Sequence, residues 1–429
     1  MKSDLLSCDP FTRRAFAEHV AKTALGVTIV PHILRGAAAA PAVDNTKLPG
    51  FGSAKRVIWM QMEGGMSHID TLDPKKGETG GPKDPIKTKA GFDLGGFMPR
   101  LAAEQADKIA IIRSMTSKTG VHASAQYLMR TAYEQRGTIQ HPTLGAWAQQ
   151  LLGPSHKTLP SSVCINRNPG HGNGFFPAAF SPLPVGNPET GLQFAQFRTT
   201  PDVIDKRMAL LDKVDAGFRG KFHDTNLKSY TEFYDNTLQL LKGEELKAFD
   251  LAAEPADLRE KYGKSDLGQG CLLARRLIEH GIRFIEVASG GWDMHTDLDD
   301  RMADKGTALD TALAALIGDL SSRGLLESTL IVLCSEFGRT PEVTGDGGRN
   351  HYPKVFSVML AGAGAKRGYI YGASDARGAN VADKQSTIQD FHSTIGHLMG
   401  MNVDQVVMSP SNRPFTVGDK GSVLTDLLA

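Results

Sequence analysis

The chain has 429 residues, of which 41% are hydrophobic and 22% charged, and its formal net charge is +1. That is ample apolar material for a large core. A balance this close to neutral excludes the strongly basic field used to bind nucleic acid or an anionic membrane, and nothing in the chain calls for a nucleotide cofactor.

The first 42 residues read as an export signal. Arg13 and Arg14 precede a moderately apolar stretch, Ala21 to Leu34, and then Ala37 to Ala42, the order of a twin-arginine leader with a small-residue cleavage site. The apolar part contains Lys22, Thr28, Pro31 and His32, too short and polar to anchor a mature chain in a bilayer. The expected partner is therefore the twin-arginine export machinery, and the expected location is periplasmic or extracellular. Removing the leader would take five positive and three negative side chains with it, leaving a charge of about −1. Cys164, Cys271 and Cys334 would remain, an odd and widely spaced set that is no disulfide framework.

Residues 43–429 read as one α/β domain with a helical insertion around 200–280. Lys55 to Met62 has the pattern of a buried strand and runs into a glycine-started loop, Glu63 to Pro74, that carries His68 and Asp70. Ile109 to Ile112 is a second strand. It leads through Arg113, Ser114, Thr116, Ser117 and Thr119 to a helix that begins near His122 and Ser124. Hydroxyls at a strand-to-helix turn suit either a nucleophile beside the helix dipole or a simple cap. Ser162 to Arg167 is a further strand candidate, followed by a glycine-rich loop with His171. Pro182 to Pro201 reads as irregular, and Pro201 to Gly281 as consecutive polar helices.

The last third is the most informative. Arg283 to Ala288, Thr329 to Cys334 and Val355 to Ala361 are strand-like. Between the first two, Met302, Leu309, Ala312, Leu313, Leu316, Ile317 and Leu320 recur at helical spacing. A strand, helix, strand unit of this size implies a right-handed parallel crossover. The Gly291-Trp292-Asp293-Met294-His295 and Ser335-Glu336-Phe337-Gly338-Arg339 segments begin at the carboxyl ends of these strands, where open α/β sheets bind ligands.

The Glu63 to Lys75 loop, these two segments, and Gly348-Arg349-Asn350-His351-Tyr352-Pro353 together resemble the signature motifs of the exported bacterial proteins called domain of unknown function 1501. That resemblance implies an alkaline phosphatase/sulfatase-like fold, with a mostly parallel central sheet and helices on both faces. It also implies the superfamily's chemistry, hydrolysis of phosphate or sulfate esters at a divalent metal. By the resemblance, Asp293, His295 and His351 are metal ligands, and Glu336 stands at a further ligand position. His68 and Asp70 are ligand candidates in the loop after the first strand. Phe337 occupies a position where the pattern has a histidine, and a phenyl ring does not bind metal. The nitrogen and oxygen set suits zinc or manganese.

The catalytic candidates are Ser124 or Thr119 as nucleophile, His122 as general acid or base, and Arg113, with Arg339 and Arg349 as anion-binding groups. The substrate would be a small anionic ester or a sulfated or phosphorylated saccharide. Other readings stay open: Arg339 and Arg349 as ion-pair partners of Glu336 and Asp346, and His68 and His122 as hydrogen-bonded loop histidines. For the whole cleft the alternative is a catalytically degenerate site that binds an anionic saccharide or a partner protein.

Overall fold

The computed structural model describes residues 44–168, 172–193, 195, 199–219, 238–241 and 243–429. The leader and His171 lie outside them. Residues 45–429 form one compact unit, and no helix among the described residues is long and apolar enough to cross a membrane.

Eleven strands and six helices position the site. The strands are β1 (Arg56–Met62), β2 (Ile109–Thr116), β3 (Ser162–Ile165), β4 (Leu183–Val185), β5 (Phe284–Ser289), β6 (Thr329–Ser335), β7 (Gly338–Arg339), β8 (His351–Tyr352), β9 (Phe356–Gly362), β10 (Tyr369–Tyr371) and β11 (Ser386–Thr387). The helices are α1 (His122–Thr131), α2 (Leu144–Leu152), α3 (Pro201–Arg219), α4 (Asp266–Glu279), α5 (Leu298–Ser322) and α6 (Ile388–Leu398).

The central sheet runs β10-β2-β9-β6-β1-β5-β3-β4, with β11 added to β2. Every pairing is parallel except those of β9, which is antiparallel to both β2 and β6. The sheet is thus mostly parallel, as expected. Side chains alternate across β1 because successive residues of a strand face opposite ways. Ile58 and Met60 pack with Leu272, Leu313 and Leu316 on one face, and Val57 and Trp59 with Trp147, Phe391 and Ile395 on the other. Both faces are therefore buried under helices, which is why these strands read as continuous apolar runs. Cys164, Cys271 and Cys334 are buried free thiols.

Register sets the site. Met62 lies opposite both Ser289 and Ser335, so the chain leaves β1, β5 and β6 at the same carboxyl edge.

Two expectations differ from the structure. Strand β2 continues four residues beyond Ile112, because Ser386 and Thr387 pair with Met115 and Thr116 and extend the ladder. The stretch read as irregular after Pro182 contains the edge strand β4, where Pro184 has no second neighbour to disappoint.

Candidate metal centre

Three loops meet where β1, β5 and β6 end. Glu63 N–H donates to Ser289 O at 2.8 Å, Trp292 N–H donates to Glu63 O at 3.1 Å, and Gly64 N–H donates to the Glu336 carboxylate at 2.9 Å. Gly64 has φ +118°, and a Cβ there would lie 2.4 Å from Asp293 N, so only glycine lets the Asp293 loop cross so closely. Strands β7 and β8 form a small antiparallel ladder that sets His351 opposite Arg339.

At this junction four side chains converge. Asp293 Oδ1 lies 2.9 Å from His295 Nε2 and 3.1 Å from His351 Nε2, while Asp293 Oδ2 lies 3.3 Å from His122 Nε2. The two imidazole Nε2 atoms of His295 and His351 are 3.0 Å apart. Asp293 and His295 are about two-fifths exposed, at 43%, so the cluster opens to solvent on one side.

The far side of each ring fixes its tautomer. His351 Nδ1–H donates to Gly120 O at 2.8 Å, His122 Nδ1–H to Glu336 Oε1 at 2.8 Å, and His295 Nδ1–H to Asn350 Oδ1 at 3.0 Å. Each partner is an acceptor and favours a proton on Nδ1, which leaves each Nε2 available as a ligand atom when a cation rather than a proton lies against Asp293. Three ligand nitrogens and a carboxylate therefore converge. His122 Nε2 is buried without a hydrogen-bond partner. A cation at the centre satisfies all four groups, and three imidazoles with one carboxylate match the preferences of zinc better than those of magnesium or calcium. The residues present thus fit a divalent metal; His122, Asp293 and His351 alone already form a group with ligand spacing.

Asp293 is kept ionised. Burial works against its charge, but the hydrogen bond and charge of Arg339 outweigh it and hold the carboxyl well below the usual carboxylate range.

The other candidates sit around this cluster in supporting positions. Glu336 is fully buried. It takes Gly64 N–H and the His122 ring on one oxygen and the Ser335 hydroxyl at 3.2 Å on the other, so it orients His122 from behind. All five Arg339 donors are directed at protein groups: Gly65 O at 2.8 Å, Arg349 O at 2.9 Å, Gly64 O, Asp293 and, from the second Nη1–H, His295 Nε2 at 3.5 Å. Arg349 is fully buried in a two-point pair with Asp70, at 2.9 and 3.2 Å, and its remaining N–H groups reach Thr340 O, Pro341 O, Thr79 O and Gly80 O. Neither arginine presents a donor to an anion, and Asp70 is consumed by the pair. The ion pairs weighed from sequence do form, but with Asp293 and Asp70 rather than Glu336 and Asp346.

His68 is buried against Gly378 O at 3.0 Å, and burial lowers its basicity. Arg113 belongs to the extended part of β2 and donates to Leu72 O at 2.9 Å and Asp93 O at 2.6 Å, pinning the loop after β1. Ser124 lies two residues beyond His122 in the first turn of α1. Positions two apart on a helix point in nearly opposite directions, so Ser124 turns away from the cluster that His122 faces. Nor does a hydroxyl cap this helix: its N-cap is Val121, with no side-chain cap. Phe337 is buried beside the His122–His351 pair, its ring centre 5.0 Å from that of His122 and 4.8 Å from that of His351. Gly65 has φ +76°, and a Cβ there would strike this ring.

The sequence profile of the family described as "Protein of unknown function (DUF1501)" matches residues 54–428, and the chain belongs to that family. No curated protein matches it. Similar solved structures include the PsFucS1 sulfatase from Pseudoalteromonas sp., 13% identical, with 88% of this chain and 72% of that one covered and a TM-score of 0.43. They also include the phosphonate monoester hydrolase SpPMH from Silicibacter pomeroyi, at 12% identity, 87% and 76% coverage and a TM-score of 0.39. The alkaline phosphatase from the Antarctic bacterium TAB5 is 15% identical, with 75% and 95% covered and a TM-score of 0.35.

Proposed function

We propose that this chain is a metal-dependent hydrolase of phosphate or sulfate esters, built around a single divalent cation held by His122, Asp293, His295 and His351. The observation that carries this reading is the convergence of three Nε2 atoms on one carboxylate, each imidazole pinned through its other nitrogen. Zinc is the preferred cation on its nitrogen-rich donor set. When bound, it supplies Lewis-acid polarisation of an ester oxygen.

The protein's own groups supply binding and orientation. Helix α1 starts at His122 with no side-chain cap, so its first-turn amides and the positive end of its dipole are left beside the cluster. An oxyanion seated there would meet backbone N–H groups on one side and the cation on the other. This arrangement takes the place of the arginine clamp, since Arg339 and Arg349 are both occupied. Glu336 holds the proton on His122 Nδ1, and Arg339 keeps Asp293 ionised.

A second reading keeps the cation and gives up catalysis: a degenerate member that binds an anionic saccharide or partner protein in the same cleft. Its support is that Ser124, the nearest candidate hydroxyl nucleophile in α1, turns away from the cluster. A panel of phosphate and sulfate monoesters assayed with the purified protein, first stripped by chelator and then supplied with zinc or manganese, separates the two. Hydrolysis restored by metal supports the hydrolase. Stoichiometric metal binding with no turnover on any ester supports the binder.

Export by the twin-arginine route to the periplasm or beyond belongs to the same proposal and rests on Arg13, Arg14 and the alanine-rich stretch after them. Retention of the full-length chain in the cytoplasm when Arg13 and Arg14 are both replaced by lysine is the expected result. Unchanged export would remove this part of the reading.

A further inference from the structure

A groove of about 490 Å³ opens at the carboxyl end of β2 and β11, beside the metal centre but outside it. Two chain segments join the places. Ser117 N–H donates to Pro353 O at 2.9 Å, and His351 Nδ1–H donates to Gly120 O at 2.8 Å, so the stretch before His122 and the stretch after His351 run side by side. The ligating residues lie at one end of this pair, and Ser117 and Lys354 line the groove at the other. From His351 to Lys354 is three residues of chain, at most roughly 10 Å. An ester bound at the cation therefore reaches the groove only if its organic part is longer than a small alcohol.

The chemistry of the groove selects that organic part. Its floor is aliphatic, made by Leu128, Val381 and Ile388. Its rim carries three amides whose NH2 groups are tied back to the protein: Asn380 to Asp375 at 3.0 Å, Gln385 to Thr116 at 3.4 Å, and Gln389 to Ala132 O at 2.8 Å. Their side-chain oxygens have no donor among the described residues and are free to accept. Lys354 is exposed and has no carboxylate within ion-pair distance among the described residues, whereas Lys118, also on the rim, is paired with Glu134 at 2.7 Å. The groove thus asks for an aliphatic face, several hydroxyl donors around it, and one negative charge.

We infer that this groove is a subsite for an acidic saccharide chain, a pyranose bearing a carboxylate, which forms the organic part of the ester cleaved at the metal centre. The aliphatic ring face packs on Leu128 and Ile388, hydroxyls donate to Asn380, Gln385 and Gln389, and the carboxylate pairs with Lys354. The role in ester cleavage rests on the proposed hydrolase function; the binding itself does not.

Titration calorimetry with trigalacturonate, which carries no phosphate or sulfate ester, tests the subsite apart from the chemistry, with maltotriose as the neutral control. Trigalacturonate should bind at least about tenfold more tightly than maltotriose. Lys354→Glu should weaken it about tenfold, the loss of one charge-assisted contact, and Gln385→Ala should weaken it less. Asp293→Ala should leave this affinity unchanged while abolishing metal binding, so failure of the hydrolase reading would not imitate failure of the subsite. No detectable binding of trigalacturonate, equal affinity for maltotriose, or binding indifferent to Lys354→Glu would each overturn the inference.

Discussion

The Nε2 atoms of His295 and His351 face each other across 3.0 Å, and each ring has its proton on the opposite nitrogen. Two lone pairs at that separation repel unless something positive lies between them. Either a proton joins one ring or a metal joins both, and the Asp293 carboxylate beside them favours either cation.

The support behind the ligands should matter nearly as much as the ligands themselves. Glu336 touches no part of the open cleft, yet it alone anchors His122 Nδ1. Glu336→Gln should lower zinc affinity roughly 10- to 100-fold with the fold retained, measured by competition with a chelating dye. Affinity equal to wild type would show that His122 is not held for metal binding.

Phe337 offers no ligand for a second ion. Its ring packs against both His122 and His351, whose own ring centres are 4.3 Å apart, and Gly65 lacks a side chain where that ring approaches. Elemental analysis of protein reloaded with excess zinc and then desalted should give one equivalent per chain. Two equivalents would require a second ligand set beyond the cluster described.

The Arg349–Asp70 pair belongs to stability. Removing one partner strands a buried charge, which costs about 3–5 kcal/mol. Arg349→Ala and Asp70→Ala should each lower the unfolding free energy by about that amount in denaturant titrations, and the double variant should lose less than the sum. A variant of normal stability with impaired anion binding would instead return Arg349 to the substrate.

Acid should weaken the fold through buried histidines. Burial pushes His392 down to about 4, because its charged form would be cut off from water between α6 and Met129 O. The unfolded chain takes up this proton near pH 6.5 and the folded chain only near 4, so stability contributed by the neutral ring is complete above 6.5 and lost as pH falls toward 4. For a ring this deeply buried the loss is about 3 kcal/mol. Unfolding of metal-free protein at pH 7 and pH 4.5 should show it, and His392→Gln should flatten the difference. His141, also lowered to about 4 by burial, adds in the same direction.

Much of the frame was legible in the sequence, because strands buried on both faces write long apolar runs and α5 writes a helical period. Asp293, His295 and His351 were legible as well, since each sits one or a few residues past a strand end or within a β-ladder set by glycines. The division of labour around them was not. His122 reads as a helix-start residue; only the close approach of α1 to Glu336 brings its Nε2 to the cluster. Arg339, Arg349, Asp70 and Arg113 look like site residues because they are charged and near strand ends, but burial turns them inward to hold loops. Nothing local in a sequence distinguishes a charge that faces substrate from one that closes a turn. Glu336 reads from sequence as a further ligand, and only its buried contact with His122 Nδ1 shows that it holds a ligand from behind.

The proposed function stands on the cation at the four-residue cluster. Zinc binding measured by titration calorimetry on chelator-stripped protein, wild type against Asp293→Ala and His351→Ala, tests it directly. The predicted result is one tight site in the wild type that is lost in both variants, with each variant folded by circular dichroism. No binding in the wild type, or the same affinity in all three proteins, would contradict it.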